Sequence, residues 1–174
     1  MCGIAGIWEE TGQKPVRDMI DVQSHRGPDG NGIYVRRKKG VLGHTRLSIM
    51  DPAGGNQPIY NENQSTVIVA NGEIYNHQFL RQGLLDNHNF ATNSDSETIL
   101  HLFEEQGLKT ADQLDGMFAF AVAEQDALFL ARDPIGIKPL YYGWRVPDQP
   151  EQGLTSLSVH VVVQFWPAAL AVAT

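Results

Sequence analysis

The feature of this chain that most constrains its fold is an unbroken apolar run at residues 117–123, MFAFAVA. The run has the length of a strand, and a strand without polar alternation is expected to be covered on both faces. A turn around Gln125 and Asp126 separates it from a second apolar stretch, ALFLAR, at 127–132. The two stretches therefore predict a β-hairpin inside a layered fold.

Other segments place strands at both ends of the chain with helices between them, which predicts an α+β fold rather than alternating βαβ units. Pro15 suits the first turn of the first helix, whose apolar stripe extends to Val22. Ser94 and Glu97 have the spacing of a capping box before the clearest helix. We predict further strands at 2–8, 32–36, 41–47, 65–70 and 139–144, and helices at 15–25, 77–87 and 95–106.

The composition is that of a single soluble globular domain. The chain has 174 residues, of which 42% are hydrophobic and 19% are charged. Thirteen basic and twenty acidic side chains give a net charge of −7, which argues against nucleic acid or an anionic membrane as the main partner. The sequence shows one cysteine, no secretory signal and no membrane-spanning apolar segment, so we expect a cytoplasmic protein.

The single cysteine, Cys2, directly follows the initiator methionine. Removal of Met1 would put a thiol and a free α-amine on one residue, and an amine with a pKa of about 7.7–8.0 can accept the thiol's proton near neutral pH. A nucleophile that carries its own base is a known solution for hydrolysing amides. Because a second-position cysteine is also commonly a small apolar filler, Cys2 becomes a candidate nucleophile only together with the rest of the chain.

Seven short motifs follow one another along the chain. They are CGI at 2–4, HRGPDG at 25–30, GHTRLSI at 43–49, NGEIYN at 71–76, SDSE at 94–97, DGMFAFA at 115–121 and ARDPIGIKPLYY at 131–142. Their order and spacing resemble the glutaminase domain of asparagine synthetases, a class II glutamine amidotransferase module of the N-terminal nucleophile hydrolases. The resemblance covers residues 2–144 and implies a four-layer αββα sandwich of two mainly antiparallel sheets.

The resemblance implies a catalytic centre made by Cys2, Asn71 and Gly72. The Asn71 side-chain amide and the Gly72 backbone N–H would form an oxyanion hole, since a tetrahedral intermediate needs donors where its oxygen lies. The dipeptide taken alone favours an Asn-Gly hairpin turn. The strand VIVA before it and EIYN after it favour the family role instead.

The resemblance also implies residues that bind the charged end of glutamine. Arg46 would bind the α-carboxylate, because a guanidinium offers two parallel charge-assisted hydrogen bonds; the alternative is a surface arginine at a strand end. Asp95 and Glu73 would bind the substrate ammonium group. Asp95 also lies at a predicted helix start, where the helix dipole stabilises a carboxylate whatever its function, and Glu73 could be a solvated turn residue.

Several other polar residues are expected to have structural roles. Arg26 is expected to support or shape the pocket, and His25 and His44 are expected to be structural, because Cys2 brings its own base. Lys138 is expected to be an exposed or packing cation. Six histidines and one cysteine show no metal-binding spacing, so the sequence implies no metal site and no cofactor in this chain.

The resemblance ends before the chain does. Past residue 144 the family's next strand and its ASE(I/M)KAL-like segment are missing, and no charged residue follows Glu151. We therefore expect an amidotransferase domain over residues 1–144, incomplete at its C-terminal edge. Residues 145–174 would then be a divergent tail from a frameshifted or prematurely ended reading frame. The alternative is a genuine short amidotransferase whose own last strand lies in VHVVVQFW.

These observations together predict glutamine hydrolysis to glutamate and ammonia, the half-reaction that supplies ammonia to aspartyl-adenylate in asparagine synthetases. The ATP-dependent synthetase domain is expected to be absent, because the sequence has no SGGxDS-like loop and no P-loop; ATP and Mg are implied only for that domain. The expected ligand is L-glutamine, and the expected partner is a synthetase domain or chain that accepts ammonia. The alternatives are a catalytically silent remnant, a regulatory glutamine-binding module, or an asparagine-synthetase-like enzyme with another acceptor.

Overall fold

The structure is a computed structural model that describes residues 1–9, 13–145 and 158–162. The strands in these residues are β1 (Gly3–Trp8), β2 (Gly30–Arg36), β3 (Gly40–Arg46), β4 (Ile59–Tyr60), β5 (Thr66–Ile74), β6 (Gly116–Glu124), β7 (Ala127–Arg132), β8 (Tyr141–Arg145) and β9 (Ser158–Val162). The helices are α1 (Gln13–Val22), α2 (His77–Leu84), α3 (Asp95–Gln106) and α4 (Thr110–Gln113), with a 3₁₀ turn at Gly107–Lys109. No helix in the described ranges is long and apolar enough to cross a membrane.

The strands form two antiparallel sheets. The first has the order β2-β3-β1-β9-β8 and the second has the order β4-β5-β6-β7. Strand β1 pairs with β3 on one side and with β9, from the C-terminal segment, on the other. The start of the chain is therefore held in the interior of a sheet rather than at its edge.

The apolar run at 117–123 lies in β6 and is covered on both faces, as its sequence predicts. Its larger side chains pack among α2 and α3, and its alanines face the first sheet. These two sets are Phe118, Phe120 and Val122 on the helix side and Ala119, Ala121 and Ala123 on the sheet side. The predicted hairpin is confirmed, since β6 pairs with β7 through Glu124 and Ala127.

Helix α1 covers the outer face of the first sheet, where Val16 and Ile20 pack against Ile7 and Val41. The layers are therefore α1, the first sheet, the second sheet, and α2 with α3. This arrangement confirms the α+β sandwich of two antiparallel sheets.

Some local predictions were wrong. Helix α1 spans Gln13–Val22 instead of the predicted 15–25. Val22, the predicted end of its apolar stripe, is 56% exposed, and the chain turns after it. Ser94 does cap α3, but its side chain accepts a hydrogen bond from Ser96 N, so no capping box forms. Glu97 instead accepts hydrogen bonds from the Ala91 and Thr92 N–H groups, and the Ser94 N–H donates to Thr92 Oγ1 rather than to Glu97.

Candidate active site

A cavity of about 140 Å³ lies where the start of β1, the ends of β3 and β5, and the start of α3 meet. Its lining contains all six predicted site residues, Cys2, Arg46, Asn71, Gly72, Glu73 and Asp95. These residues come from four separate segments of the chain, so strand pairing and the docking of α3 bring them together.

Cys2 is held at this cavity through both its backbone and its sulfur. Antiparallel pairing of Gly3 with Thr45 sets it beside the end of β3. There the Leu47 N–H lies 3.4 Å from Cys2 Sγ, and Arg26 Nε donates to the Cys2 carbonyl oxygen at 3.2 Å. The Arg26 contact gives this residue the supporting role that its motif predicted.

Asn71 and Gly72 lie inside β5, opposite Ala119 and Phe118 of β6, so the hairpin-turn alternative is wrong. Asn71 is only 2% exposed, and its Nδ2 has no hydrogen-bond partner in the described part of the chain. A buried donor without an acceptor is costly, at about 1–3 kcal/mol. An oxyanion in the cavity would supply the missing acceptor.

Gly72 has a structural reason to be glycine in addition to any catalytic one. A Cβ at this position would lie 2.4 Å from the Met117 carbonyl oxygen and 2.7 Å from Phe118 Cα. The absence of a side chain therefore lets β5 and β6 approach each other.

Asp95 ties the start of α3 to the end of β5. It is 4% exposed, its Oδ2 accepts a hydrogen bond from the Ile74 N–H at 2.8 Å, and Ser94 Oγ lies 3.5 Å from its Oδ1. The N-terminal end of the α3 dipole stabilises its negative charge. Since Glu73 immediately precedes Ile74, two carboxylates line the same side of the cavity.

Arg46 is 5% exposed, so the surface-arginine alternative is wrong. Its two terminal nitrogens hold the loop at 50–56. Nη1 donates to Pro52 O and Asn56 Oδ1, and Nη2 donates to Met50 O and Asp51 O, at distances of 2.6–3.2 Å. A carboxylate that binds through both nitrogens must therefore replace some of these bonds.

Sequence reasoning missed two residues that line the cavity. Gln57 binds both backbone groups of Ala70, because its Oε1 accepts from the N–H at 2.6 Å and its Nε2 donates to the carbonyl at 3.2 Å. Lys138 was expected to be an exposed or a packing cation; it is 6% exposed and lines the cavity, with Nζ 3.5 Å from Met1 Sδ, which fits the packing alternative. No sequence signal marks Gln57, whereas the GIKPLYY motif could have drawn attention to Lys138.

Asp133 positions the turn that carries Lys138. The carboxylate accepts hydrogen bonds from the Ile137 and Lys138 N–H groups at 2.8 and 2.9 Å. Burial alone would raise the pKa of Asp133, but these bonds and the Phe118 N–H hold it below its usual value. The charged carboxylate thus fixes the backbone on both sides of the turn.

Neither of the two histidines considered in the sequence lines the cavity. His25 is exposed, and its Nδ1 lies 3.1 Å from the Val22 carbonyl oxygen. His44 is fully buried, with Nε2 3.2 Å from the Ala70 carbonyl oxygen. Burial lowers the pKa of His44 to about 4, so its ring is neutral at physiological pH and donates to Ala70 through Nε2–H.

Comparisons with known proteins give a consistent picture. The model of the glutamine amidotransferase domain family matches residues 1–156. Over 151 residues the chain is 44% identical to glutamine-hydrolyzing asparagine synthetase 1 of Arabidopsis thaliana and to asparagine synthetase B of Escherichia coli, with 83% of this chain covered in each case. It is 52% identical over 122 residues to asparagine synthetase 2 of Oryza sativa. This match covers 69% of this chain and 20% of the rice protein.

The chain spans 26% and 27% of the first two relatives, about a quarter of their length. Among solved structures, a glutamine phosphoribosylpyrophosphate amidotransferase from B. subtilis has the same fold, with a TM-score of 0.72 at 24% identity. The match covers 92% of this chain and 41% of that one. This chain belongs to the glutamine amidotransferase domain family and is homologous to the glutaminase domain of asparagine synthetases.

Proposed function

We propose that this chain hydrolyses L-glutamine to glutamate and ammonia, with the Cys2 thiol as the nucleophile. The observation that carries the proposal is that a thiol and an unpaired buried amide donor, Cys2 and Asn71, line one cavity. Family membership supports the choice of glutamine as substrate.

Catalysis begins after Met1 is removed, because the Cys2 α-amine is otherwise part of a peptide bond. The free amine takes the thiol proton, and the thiolate attacks the side-chain carbonyl carbon of glutamine. Asn71 Nδ2 and the Gly72 N–H donate to the oxyanion of the tetrahedral intermediate. The amine returns the proton to the departing nitrogen, which leaves as ammonia, and water then cleaves the glutamyl thioester to release glutamate.

The charged end of glutamine is bound by charged side chains that line the same cavity. The carboxylates of Asp95 and Glu73 attract the substrate ammonium group, and Asp95 retains its hydrogen bond to Ile74 while it does so. Arg46 neutralises the α-carboxylate by exchanging weaker carbonyl hydrogen bonds of the 50–56 loop for charge-assisted ones. Substrate binding and the position of this loop are therefore coupled through one guanidinium.

The fate of the ammonia is also part of the proposal. The similarity to asparagine synthetases supports transfer to a synthetase domain or chain, where ATP and Mg would activate aspartate. An asparagine-synthetase-like enzyme with another acceptor is the alternative.

We propose residues 1–144 as the amidotransferase domain, with 145–174 as a divergent tail. We also propose a cytoplasmic location, which is supported by a single cysteine that cannot form an internal disulfide.

The Cys2→Ala variant tests the proposal directly. It is expected to lose glutaminase turnover by at least about a thousandfold, because no other thiol exists in the chain, while its affinity for glutamine stays near that of the wild type. Ammonia release and calorimetric glutamine binding are the two measurements. Near-wild-type hydrolysis by this variant would contradict the proposal, and binding without turnover by the wild type would favour a regulatory glutamine-binding module.

A further inference from the structure

A cluster of two histidines and two glutamates lies away from the cavity, on the outer side of the second sheet. It consists of Glu62 after β4, His88 after α2, and His101 and Glu104 on α3. One nitrogen or oxygen from each residue lies within 4.8 Å of the others. His101 is fully buried, whereas Glu62 is 35% exposed, so the cluster is open to solvent on one side only.

The spacing of the donor atoms matches a tetrahedral metal site. Four ligands at bond lengths of 2.0–2.1 Å lie about 3.3–3.4 Å apart. His88 Nδ1 lies 3.6 Å from Glu62 Oε1 and 3.6 Å from Glu104 Oε2. His101 Nδ1 lies 2.8 Å from Glu104 Oε2 and 4.0 Å from Glu62 Oε2. These four separations lie within about 0.7 Å of the ideal edge, with one carboxylate oxygen of Glu62 facing His88 and the other facing His101.

Both histidine rings turn Nδ1 towards the centre of the cluster and Nε2 towards an outer carboxylate. His88 Nε2 lies 3.2 Å from Glu105 Oε1, and His101 Nε2 lies 3.8 Å from Glu97 Oε1. Metal-bound histidines characteristically donate their second N–H to a carboxylate, which fixes the ring and makes the ligating nitrogen more basic. His101 Nε2 is fully buried and makes no hydrogen bond in the described structure, so it has a donor to spare for Glu97.

The two glutamates are also oriented by their neighbours. Asn61 Nδ2 donates to Glu104 Oε1 at 2.5 Å, which leaves Oε2 facing the histidines. The Asn89 N–H donates to Glu62 Oε1 at 2.8 Å.

We propose that Glu62, His88, His101 and Glu104 form a binding site for a divalent transition metal, with Zn²⁺ as the best match. Imidazole and carboxylate donors at tetrahedral spacing suit zinc, and the four ligand atoms leave no open coordination position, which is typical of a structural site. The ion would link the turn after β4 and the segment after α2 to α3. Because α3 begins with Asp95, this link would also support the helix that contributes to the cavity.

No sequence motif marks this site, because its ligands are separated by 26, 13 and 3 positions rather than by a short repeating spacing. The four ligands come together because β4 and α2, which precede Glu62 and His88, both pack against α3. The spacing of histidines and cysteine along the chain therefore does not reveal ligands that the fold brings together.

The test uses the full chain, untagged, in a Cys2→Ala background that removes the only competing thiol. The protein is stripped with a chelator, dialysed and titrated with Zn²⁺ by calorimetry and with Co²⁺ by visible absorption. We expect one equivalent of metal to bind, intense Co²⁺ bands typical of tetrahedral coordination, and a melting temperature that rises with Zn²⁺ concentration. Absence of stoichiometric binding would overturn the proposal.

Matched variants locate the site. His88→Gln and Glu62→Gln, whose side chains are 11% and 35% exposed, are expected to weaken Zn²⁺ binding by at least about tenfold and to abolish the thermal shift. His25→Gln, at an exposed histidine outside the cluster, is expected to bind like the parent. Circular dichroism establishes that each variant is folded, and the Glu62 variant serves if the His88 variant is not. Equal Zn²⁺ affinity in a folded cluster variant and in His25→Gln would refute this location and leave the cluster as ion pairs around a protonated His101.

Discussion

Asn71 shows how the proposed oxyanion-hole role of one residue would come at the expense of the folded state. Its amide lies in the middle of β5, yet Nδ2 has no partner in the described structure. At a hairpin turn the Asn71 amide would be solvated. Because β5 instead continues to Ile74, the amide is buried and its Nδ2 has no partner among the described residues. In the proposed role, the side chain would donate to an oxyanion without first breaking another bond, which is the arrangement that electrostatic preorganisation requires.

Replacement of Asn71 by alanine should therefore separate activity from stability. We expect kcat for glutamine hydrolysis to fall by about 10²–10³-fold, as for loss of one oxyanion-hole donor. The free energy of unfolding should change by less than about 1 kcal/mol, because an unsatisfied donor is removed with the side chain. Steady-state kinetics and denaturant unfolding measure the two effects. A stability loss of several kcal/mol with kcat unchanged would assign Asn71 a purely structural role.

His44 makes the stability of the protein depend on pH in a predictable direction. Its folded pKa of about 4 lies below the ordinary value of 6.5, because burial disfavours the charged ring. As the pH falls below about 6.5, the unfolded chain takes up the proton first, so stability decreases until about pH 4 and is unaffected by this group below that. The stabilisation is fully present near and above neutral pH.

The contribution of His44 can be isolated by comparison with His44→Gln, which removes the titration and retains an N–H donor for Ala70. Between about pH 7 and pH 5 the wild type should lose about 2 kcal/mol more stability than the variant. Urea unfolding at the two pH values measures the difference. Identical pH dependence in both proteins would show that His44 does not remain neutral in the folded state.

At the scale of elements, two glycines offer a matched test of how the strands and helices are packed. A Cβ at Gly72 would collide with the backbone of β6, whereas one at Gly83 in α2 would meet no atom within 4 Å. We expect Gly72→Ala to destabilise the protein by about 1–3 kcal/mol through overpacking. Gly83→Ala should stabilise it by about 0.5–1 kcal/mol, because alanine is the better helix former.

Thermal unfolding of the two glycine variants, followed by glutaminase assays, checks this contrast. Gly83→Ala serves as the control, since it makes the same chemical change outside the site. Should Gly72→Ala be as stable as the wild type, the close approach of β5 and β6 would be wrong.

The elements were predictable where one local signal dominated. The apolar run in β6 predicted a strand that is buried on both faces. Its large side chains pack against the helices, and its alanines pack against the first sheet. Local signals failed where a tertiary contact competed with them. Glu97 has the spacing of a capping box, but the turn at 91–92 offers it better-placed donors.

At the scale of the whole molecule, the pattern of strands and helices predicts an α+β fold and the family resemblance implies the order of its layers, while neither predicts the surroundings of the site. Gln57 and Lys138 reach the cavity through the turns that carry them, and even the motif around Lys138 does not show that its turn approaches the cavity. The buried guanidinium of Arg46 could be expected at the cavity from its motif. Its four bonds to the 50–56 loop depend on how that loop folds back, which the sequence does not encode locally.

Residues 158–162 form a strand inside the first sheet, although the sequence alone left open whether this segment belongs to the domain. Strand β9 lies between β1 and β8 in the first sheet, and β1 leads directly from Cys2. Hydrogen bonds from both neighbours therefore restrain the strand that directly follows Cys2, the proposed nucleophile. The position of the thiol depends on the integrity of the whole sheet, as well as on the residues that touch the sulfur.

Intact-mass and peptide mass spectrometry of catalytically active protein, quenched during glutamine turnover, identifies the atom that attacks the substrate. We expect a chain that begins at Cys2, with a single glutamyl group attached to the Cys2 sulfur, and no activity in material that retains Met1. Full turnover by protein with Met1 still attached, or a glutamyl group on any other residue, would contradict the proposed mechanism.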